Sequence, residues 1–133
     1  MKKRVTRSIS ISLALLCIIT VLCAGTSAAE IEPRYTGIYG ISANLNVNSG
    51  GRADCNGYVK TKSGYSVDLI VELQRDGRTI KSWSESGSGT FSITESYYVT
   101  TGHDYQVVVS ANVYNAQGTL LETPSAASIV VSY

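Results

Sequence analysis

Hydrophobic and polar residues alternate along most of the chain after residue 40, and a period of two predicts β-strands. The clearest stretches run from 41 to 48, 53 to 60, 67 to 74 and 105 to 114. Each gives one apolar face and one largely polar face, so each predicted strand has one side in a core and one in water. No stretch shows sustained helical spacing, and the pattern therefore predicts an all-β protein.

Glycine-containing turns separate the predicted strands. Asp76-Gly77 is the strongest hairpin signal, because both central residues of the favoured two-residue turn need a positive φ. A shorter strand begins at Phe91, and the last strand is split near Pro124, which cannot donate a ladder hydrogen bond. The count is about seven strands, which predicts two antiparallel sheets packed face to face in a β-sandwich.

The segment from Val99 to Val109 resembles the turn before the sixth strand in fibronectin type III and related immunoglobulin-like domains. The matching residues are Val99, Gly102 and Tyr105, and Thr101 stands where that family usually has proline. The resemblance implies a seven-stranded immunoglobulin-like sandwich. It also implies that Tyr105 is a tyrosine corner, with its hydroxyl bound to upstream backbone.

The chain also looks like a group of small secreted proteins of Gram-positive bacteria to which no activity is assigned. The shared features are an early strand with Gly and Cys, a Leu-Gln-Arg strand end, a Ser-Trp pair and a Gly-x-x-Tyr strand start. Here these are Leu73-Gln74-Arg75, Ser82-Trp83 and Gly102 to Tyr105. This resemblance implies secretion and brings no enzyme class.

Residues 1–29 have the three parts of a secretory signal peptide: four basic residues, an apolar run from 13 to 24, and small residues up to Ala29. A membrane-spanning helix needs about 20 apolar residues, more than this run offers. We expect cleavage after Ala29, a single domain at residues 30–133, and release outside the cell without stable membrane insertion.

Removal of this leader changes the composition. The remaining 104 residues carry 7 basic and 10 acidic side chains, a net charge of −3, whereas the whole chain has +1. A nucleic-acid partner is not expected, because phosphate contacts need clustered positive charge. Cys17 and Cys23 leave with the leader, so Cys55 cannot form an intramolecular disulfide and is expected to be a small buried residue. An intermolecular disulfide through Cys55 stays open.

No constellation of catalytic or metal-binding residues stands out. His103 is the single histidine, no Gly-x-Ser-x-Gly motif occurs, and neither zinc-ligand nor calcium-loop spacing is present. The prediction is therefore a protein that is not an enzyme and holds no metal or cofactor.

The nine tyrosines and Trp83 are the candidates for recognition, since aromatic residues offer rigid amphipathic contact area. If Asp76-Gly77 is a two-residue turn, Trp83 lies opposite Ile70 and is partly exposed; a three-residue turn would place Trp83 opposite Leu69 in the core. We expect the first register. The predicted ligand-contact residues are Trp83, Ile70, Tyr58 and Tyr114.

The functional expectation is a small secreted binding module of the immunoglobulin-like sandwich type, which recognises an extracellular protein or glycan through exposed aromatics and end loops. Two alternatives stay open. One is a small hydrolase or enzyme inhibitor, which would need His103 beside a serine and an acid. The other is an extracellular structural protein that self-associates through edge strands.

Overall fold

Two antiparallel β-sheets make up the part of the chain that the computed structural model describes, residues 35–133. Within that range there are nine strands and no helix. The strands are β1 (Ile38–Val47), β2 (Arg52–Thr61), β3 (Ser66–Arg75), β4 (Arg78–Gly87), β5 (Thr90–Tyr98), β6 (Asp104–Tyr114), β7 (Leu120–Glu122), β8 (Ser125–Ala127) and β9 (Val131–Ser132). The predicted leader, residues 1–29, lies outside the described residues.

The sheets differ in size and in strand order. One has the order β1-β2-β5, and the other has β4-β3-β6, with β7, β8 and β9 each paired to the far side of β6. The all-β prediction is confirmed, but the count of seven strands is wrong within residues 35–133. The C-terminal strand is divided into three short pieces; Pro124, between β7 and β8, has no amide hydrogen for a ladder.

The core lies between the sheets and is built from every second residue of the central strands β2, β3 and β6. These side chains face one another across the sheets, as the alternation predicts. Burying a valine or leucine side chain contributes about 1.5–3 kcal/mol. The buried hydrophobic residues of the three strands are Ala53, Cys55, Val59, Val67, Leu69, Val71, Leu73, Tyr105, Val107, Val109, Ala111 and Val113.

Gly57 brings β2 unusually close to the opposite sheet. A Cβ at this position would overlap the Val71 side chain and lie 3.0 Å from a methyl group of Val109. Only glycine therefore fits here without displacing its neighbours.

Two free edges, β4 and β5, carry charges on the side that faces the core. Lys81 on β4 pairs with Leu73, and Glu95 on β5 pairs with Cys55, yet both charged side chains are exposed. Inward-pointing charges on edge strands disfavour pairing with another chain. This arrangement counts against self-association through these edges.

Tyr105 anchors the turn before β6. Its side chain is buried, and its hydroxyl donates to the carbonyl of Thr100 at 2.6 Å and accepts from the Thr100 amide at 3.2 Å. Gly102 lies within this turn at φ 89°. The hydroxyl therefore binds upstream backbone, as the resemblance implies.

The β3–β4 hairpin has the predicted two-residue turn. Asp76 and Gly77 have φ of 50° and 83°, and Arg75 pairs with Arg78. Positive φ at both positions is typical of the two-residue turn whose twist matches that of the flanking strands.

No helix among the described residues is long and apolar enough to cross a membrane.

Substitution of Gly57 by alanine tests the close approach of the sheets. We expect the free energy of unfolding to fall by about 1–3 kcal/mol, because the added methyl group overpacks the core. Urea unfolding followed by the fluorescence of Trp83 measures it. Gly40→Ala on β1 is the control, since nothing lies within 4 Å of its new methyl group. Equal losses in both variants would contradict the close-approach argument.

Substitution of Tyr105 by phenylalanine removes the hydroxyl, so the amide and the carbonyl of Thr100 lose their hydrogen bonds to it. We expect a loss of about 1–3 kcal/mol in the free energy of unfolding. Tyr98→Phe is the matched control because Tyr98 is 73% exposed and its hydroxyl binds nothing among residues 35–133. A stability of Tyr105→Phe equal to that of the control would show that the hydroxyl ties contribute nothing.

Candidate functional site

Three turns meet at one end of the two sheets and enclose a cavity of about 480 Å³. They connect β2 to β3, β4 to β5, and β6 to β7. Antiparallel strands place alternate connections at the same end, so these three converge although they are far apart in sequence. The lining residues are Thr61, Lys62, Ser63, Gly64, Tyr65, Ser66, Ser88, Gly89, Asn115 and Ala116. We call this cavity the end-loop pocket.

Short-range hydrogen bonds fix two of the turns. The Tyr65 amide donates to the Lys62 carbonyl at 3.2 Å, and Gly64 supplies a φ of 84°. In the third turn, the Asn115 side-chain oxygen accepts from the amides of Gln117 and Thr119 at 3.0 and 2.9 Å. An asparagine that binds backbone ahead of it is a standard way to hold a turn.

The second turn is fastened to β2. The Thr61 amide donates to the Gly89 carbonyl at 2.9 Å, and the hydroxyl of Thr61 is within hydrogen-bond distance of the Gly89 amide. Thr61 is buried. Because Thr61 ends β2 of the smaller sheet, this bond holds the β4–β5 turn against that sheet and sets one wall of the pocket.

The lining is rich in hydrogen-bonding groups and holds one charge. The lining residues carry serine and threonine hydroxyls, the Asn115 amide and the phenol of Tyr65, together with two glycines. Lys62 is the single cation among them, and none carries a carboxylate. Hydroxyl and amide groups both donate and accept. Such a lining suits an uncharged ligand with many hydroxyl groups.

An exposed tyrosine and two lysines lie next to the pocket. Tyr39 is 67% exposed, and the ammonium groups of Lys60 and Lys62 lie 5.3 and 5.7 Å from the centre of its ring. These distances are in the range of cation–π contacts. Lys62 also donates to the Tyr35 carbonyl at 3.1 Å, so its position is held by two neighbours.

The four contact residues predicted from the sequence do not form one surface. Tyr58 lies on the outer face of the three-stranded sheet, between buried neighbours that face the core. Ile70 and Tyr114 lie on the outer face of the other sheet, and Trp83 is on the core-facing side of β4. They therefore cannot contact one small ligand together.

The predicted partner of Trp83 is wrong. A bulge follows the β3–β4 turn, because Gln74 pairs with Thr79 but Leu73 pairs with Lys81, which leaves Ile80 as an extra residue. The register moves by one, and Trp83 lies opposite Val71 rather than Ile70. Trp83 is half-buried and packs against the core.

The polar group of Tyr114 is hydrogen-bonded within the domain, and that of Cys55 is buried. The Tyr114 hydroxyl donates to an oxygen of Asp68 at 3.0 Å, and this hydrogen bond raises the pKa of Tyr114. Cys55 is fully buried, as predicted. Its burial, and to a smaller extent the negative charge of Asp54, raise the pKa of its thiol to about 11. A thiol in this state is a weak nucleophile.

The opposite end of the sheets holds the single histidine. Nδ1 of His103 lies 2.6 Å from an Asp76 oxygen, and the other Asp76 oxygen accepts from the Asp104 amide at 3.0 Å. The hydrolase alternative needs a serine hydroxyl at His103 as well. Among residues 35–133, the side-chain hydrogen bond of His103 goes to Asp76, and the nearby Ser132 hydroxyl binds Asp104 instead.

The described residues contain no group of three or more His, Cys, Asp and Glu side chains that could hold a metal ion. The chain matches no family model and no curated protein at a significant level.

Sequence reasoning missed the end-loop pocket. The segments Lys62-Ser63-Gly64 and Asn115-Ala116-Gln117-Gly118 are recognisable as turns, but a turn signal does not say which other turns lie beside it. Counting strands supplies that information, since successive strands of this sandwich run in opposite directions and the second, fourth and sixth connections therefore share an end. The individual side chains that line the pocket have no other sequence signal.

The Asp76 carboxylate offers a pH test of this end of the molecule. The Asp104 amide, then the His103 side chain, hold the pKa of Asp76 below its usual value of 3.8. The ionised form is thus favoured in the folded state, and its stabilisation is present above that value and lost as the pH falls through the lowered pKa.

We therefore expect Asp76→Asn to unfold at a lower urea concentration than wild type at about pH 6, and the two to converge below pH 3.8. Asparagine keeps the turn, because it tolerates positive φ. Glu95→Gln is the control, since the Glu95 carboxylate has no hydrogen-bond partner among the described residues. A difference that stays constant across the pH range would contradict the role of the ionised carboxylate.

Proposed function

We propose that the chain is a secreted, non-catalytic binding module with an immunoglobulin-like sandwich, and that it binds an extracellular glycan in the end-loop pocket. The observation that carries the proposal is the pocket itself. It is large enough for a sugar unit, it is lined mainly by hydroxyl and amide groups, and it is formed by three loops at one end of a rigid pair of sheets.

The strand order supports the fibronectin type III form of the sandwich. β4 lies beside β3, whereas the fourth strand of a constant-type immunoglobulin domain lies in the sheet of the first, second and fifth strands. The bonds between Tyr105 and Thr100 also agree with it. In such sandwiches, loops clustered at one end are frequent binding surfaces.

The chemistry of the pocket favours a glycan over an apolar ligand. Sugar hydroxyls both donate and accept, and they match the serine hydroxyls and the Asn115 side-chain nitrogen of the lining. The Thr61 hydroxyl and the Asn115 oxygen are already bonded within the turns. Tyr65 offers aromatic surface for the apolar face of a sugar ring. Secretion would place the domain among extracellular polysaccharides, and the proposed leader at residues 1–29 supports it.

A glycan array with the purified secreted protein tests the proposal. We expect binding to one group of neutral glycans, and we expect Ser88→Trp to reduce it about tenfold or more because the indole fills the pocket. Gln117→Trp is the matched control, since Gln117 is exposed on a neighbouring turn but does not line the cavity. No bound glycan at high protein concentration, or equal loss in both variants, would overturn the proposal.

A further inference from the structure

The tip of the β3–β4 hairpin concentrates positive charge on a domain that is otherwise acidic. Residues 35–133 carry 6 Lys and Arg against 8 Asp and Glu. Two of those six, Arg75 and Arg78, line a cavity of about 400 Å³ together with His103 and Thr79. This cavity is at the end of the sheets opposite the end-loop pocket, so its role is independent of the proposed glycan site.

The two arginines are direct cross-strand partners. Arg75 pairs with Arg78 in the ladder next to the turn, and side chains in such pairs have Cβ atoms about 4.5–5.5 Å apart. Like charges placed opposite each other destabilise a hairpin. Within residues 35–133, the ion pairs are Arg52 with Asp54 and His103 with Asp76, so neither arginine of the turn is in one. Both are exposed, and their guanidinium donors are available to a ligand.

Asp76 is the carboxylate that lines the same cavity, and both of its oxygens are engaged. One is 2.6 Å from Nδ1 of His103, and the other accepts from the Asp104 amide at 3.0 Å. Both Asp76 oxygens are thus hydrogen-bonded, to the Asp104 amide and to His103, and the positive charge of Arg75 acts on the same carboxylate as a smaller effect. The same contacts fix the His103 ring at the rim of the cavity and hold the turn to the start of β6.

We propose that Arg75 and Arg78 bind the oxyanion of a phosphate or sulfate group. A guanidinium presents its N–H donors as a planar fork that can bind two oxygens of such a group at once. A tetrahedral oxyanion has enough oxygens to engage both forks. A bound anion would also remove the repulsion between the paired arginines.

Titration of the purified secreted protein with inorganic phosphate and with inorganic sulfate, followed by amide chemical shifts, tests this site. We expect saturable shifts confined to residues 75–80 and the adjoining residue 103, with chloride at equal ionic strength producing none. A parallel titration with glycerol phosphate and a sugar sulfate distinguishes a free anion from an ester group as the ligand. Stronger binding of an ester would place the anion on a larger molecule.

Three variants define the contribution of the arginines. Arg75→Gln and Arg78→Gln should each weaken binding about fivefold or more, and Arg78→Lys should recover only part of the loss because lysine keeps the charge without the fork. Arg52→Gln is the matched control, since Arg52 is an exposed arginine on β2 that does not line the cavity.

Several outcomes would overturn the proposal. Shifts that do not saturate, equal shifts with chloride, or equal weakening by Arg52→Gln would each show general screening of charge rather than a site. The wild-type titration does not depend on any variant folding correctly. The cavity is at the far end from the end-loop pocket. A failure of the anion-binding proposal would therefore leave the glycan proposal untouched, and glycan binding should survive Arg78→Gln.

Discussion

The contact between the two sheets at Gly57 is the constraint on which the rest of the structure depends. A side chain at this position would overlap Val71, so β2 approaches β3 and β6 more closely than packed side chains allow. The buried rows of the three strands then meet in one layer, and among the described residues no buried side-chain nitrogen or oxygen lacks a hydrogen-bond partner. Because this layer is rigid, the loops at its ends are held at fixed positions, and both cavities depend on that.

Connectivity then decides which loops meet. Each strand of the sandwich runs opposite to the one before it, so alternate turns are brought to one end regardless of their distance in sequence. Residues 61–66, 88–89 and 115–116 form the end-loop pocket in this way. At the other end, the β3–β4 turn meets the start of β6 through Asp76, Asp104 and His103. Function at either end would thus rest on loops that the shared core orients.

The sequence predicts the strands and the core well because both follow from one local rule. The period of two in β2, β3 and β6 puts Cys55, Val71 and Val109 in the core with no reference to distant residues. Register is harder to predict, since a single extra residue moves every following side chain to the opposite face of the sheet. Asp76-Gly77 correctly predicts the turn, but the bulge at Ile80 depends on packing that no local pattern records, and it moves Trp83 to the core-facing side. The pockets are harder still, because their residues converge only after the topology is known.

The two ends differ in electrostatic character, and the difference follows from the hairpin geometry. The end-loop pocket has hydroxyl and amide groups with the single cation Lys62, whose ammonium group is held by the Tyr35 carbonyl and lies near the Tyr39 ring. At the β3–β4 turn, the two-residue loop forces Arg75 and Arg78 into direct opposition. Neither is in an ion pair among residues 35–133, and the Asp76 carboxylate between them is hydrogen-bonded to His103 and to the Asp104 amide. A longer loop would let these side chains separate, whereas this tight turn keeps their repulsion in place. On the proposed binding of an oxyanion by Arg75 and Arg78, the hairpin gains stability from the anion, and the turn that places the two arginines opposite each other also creates the site.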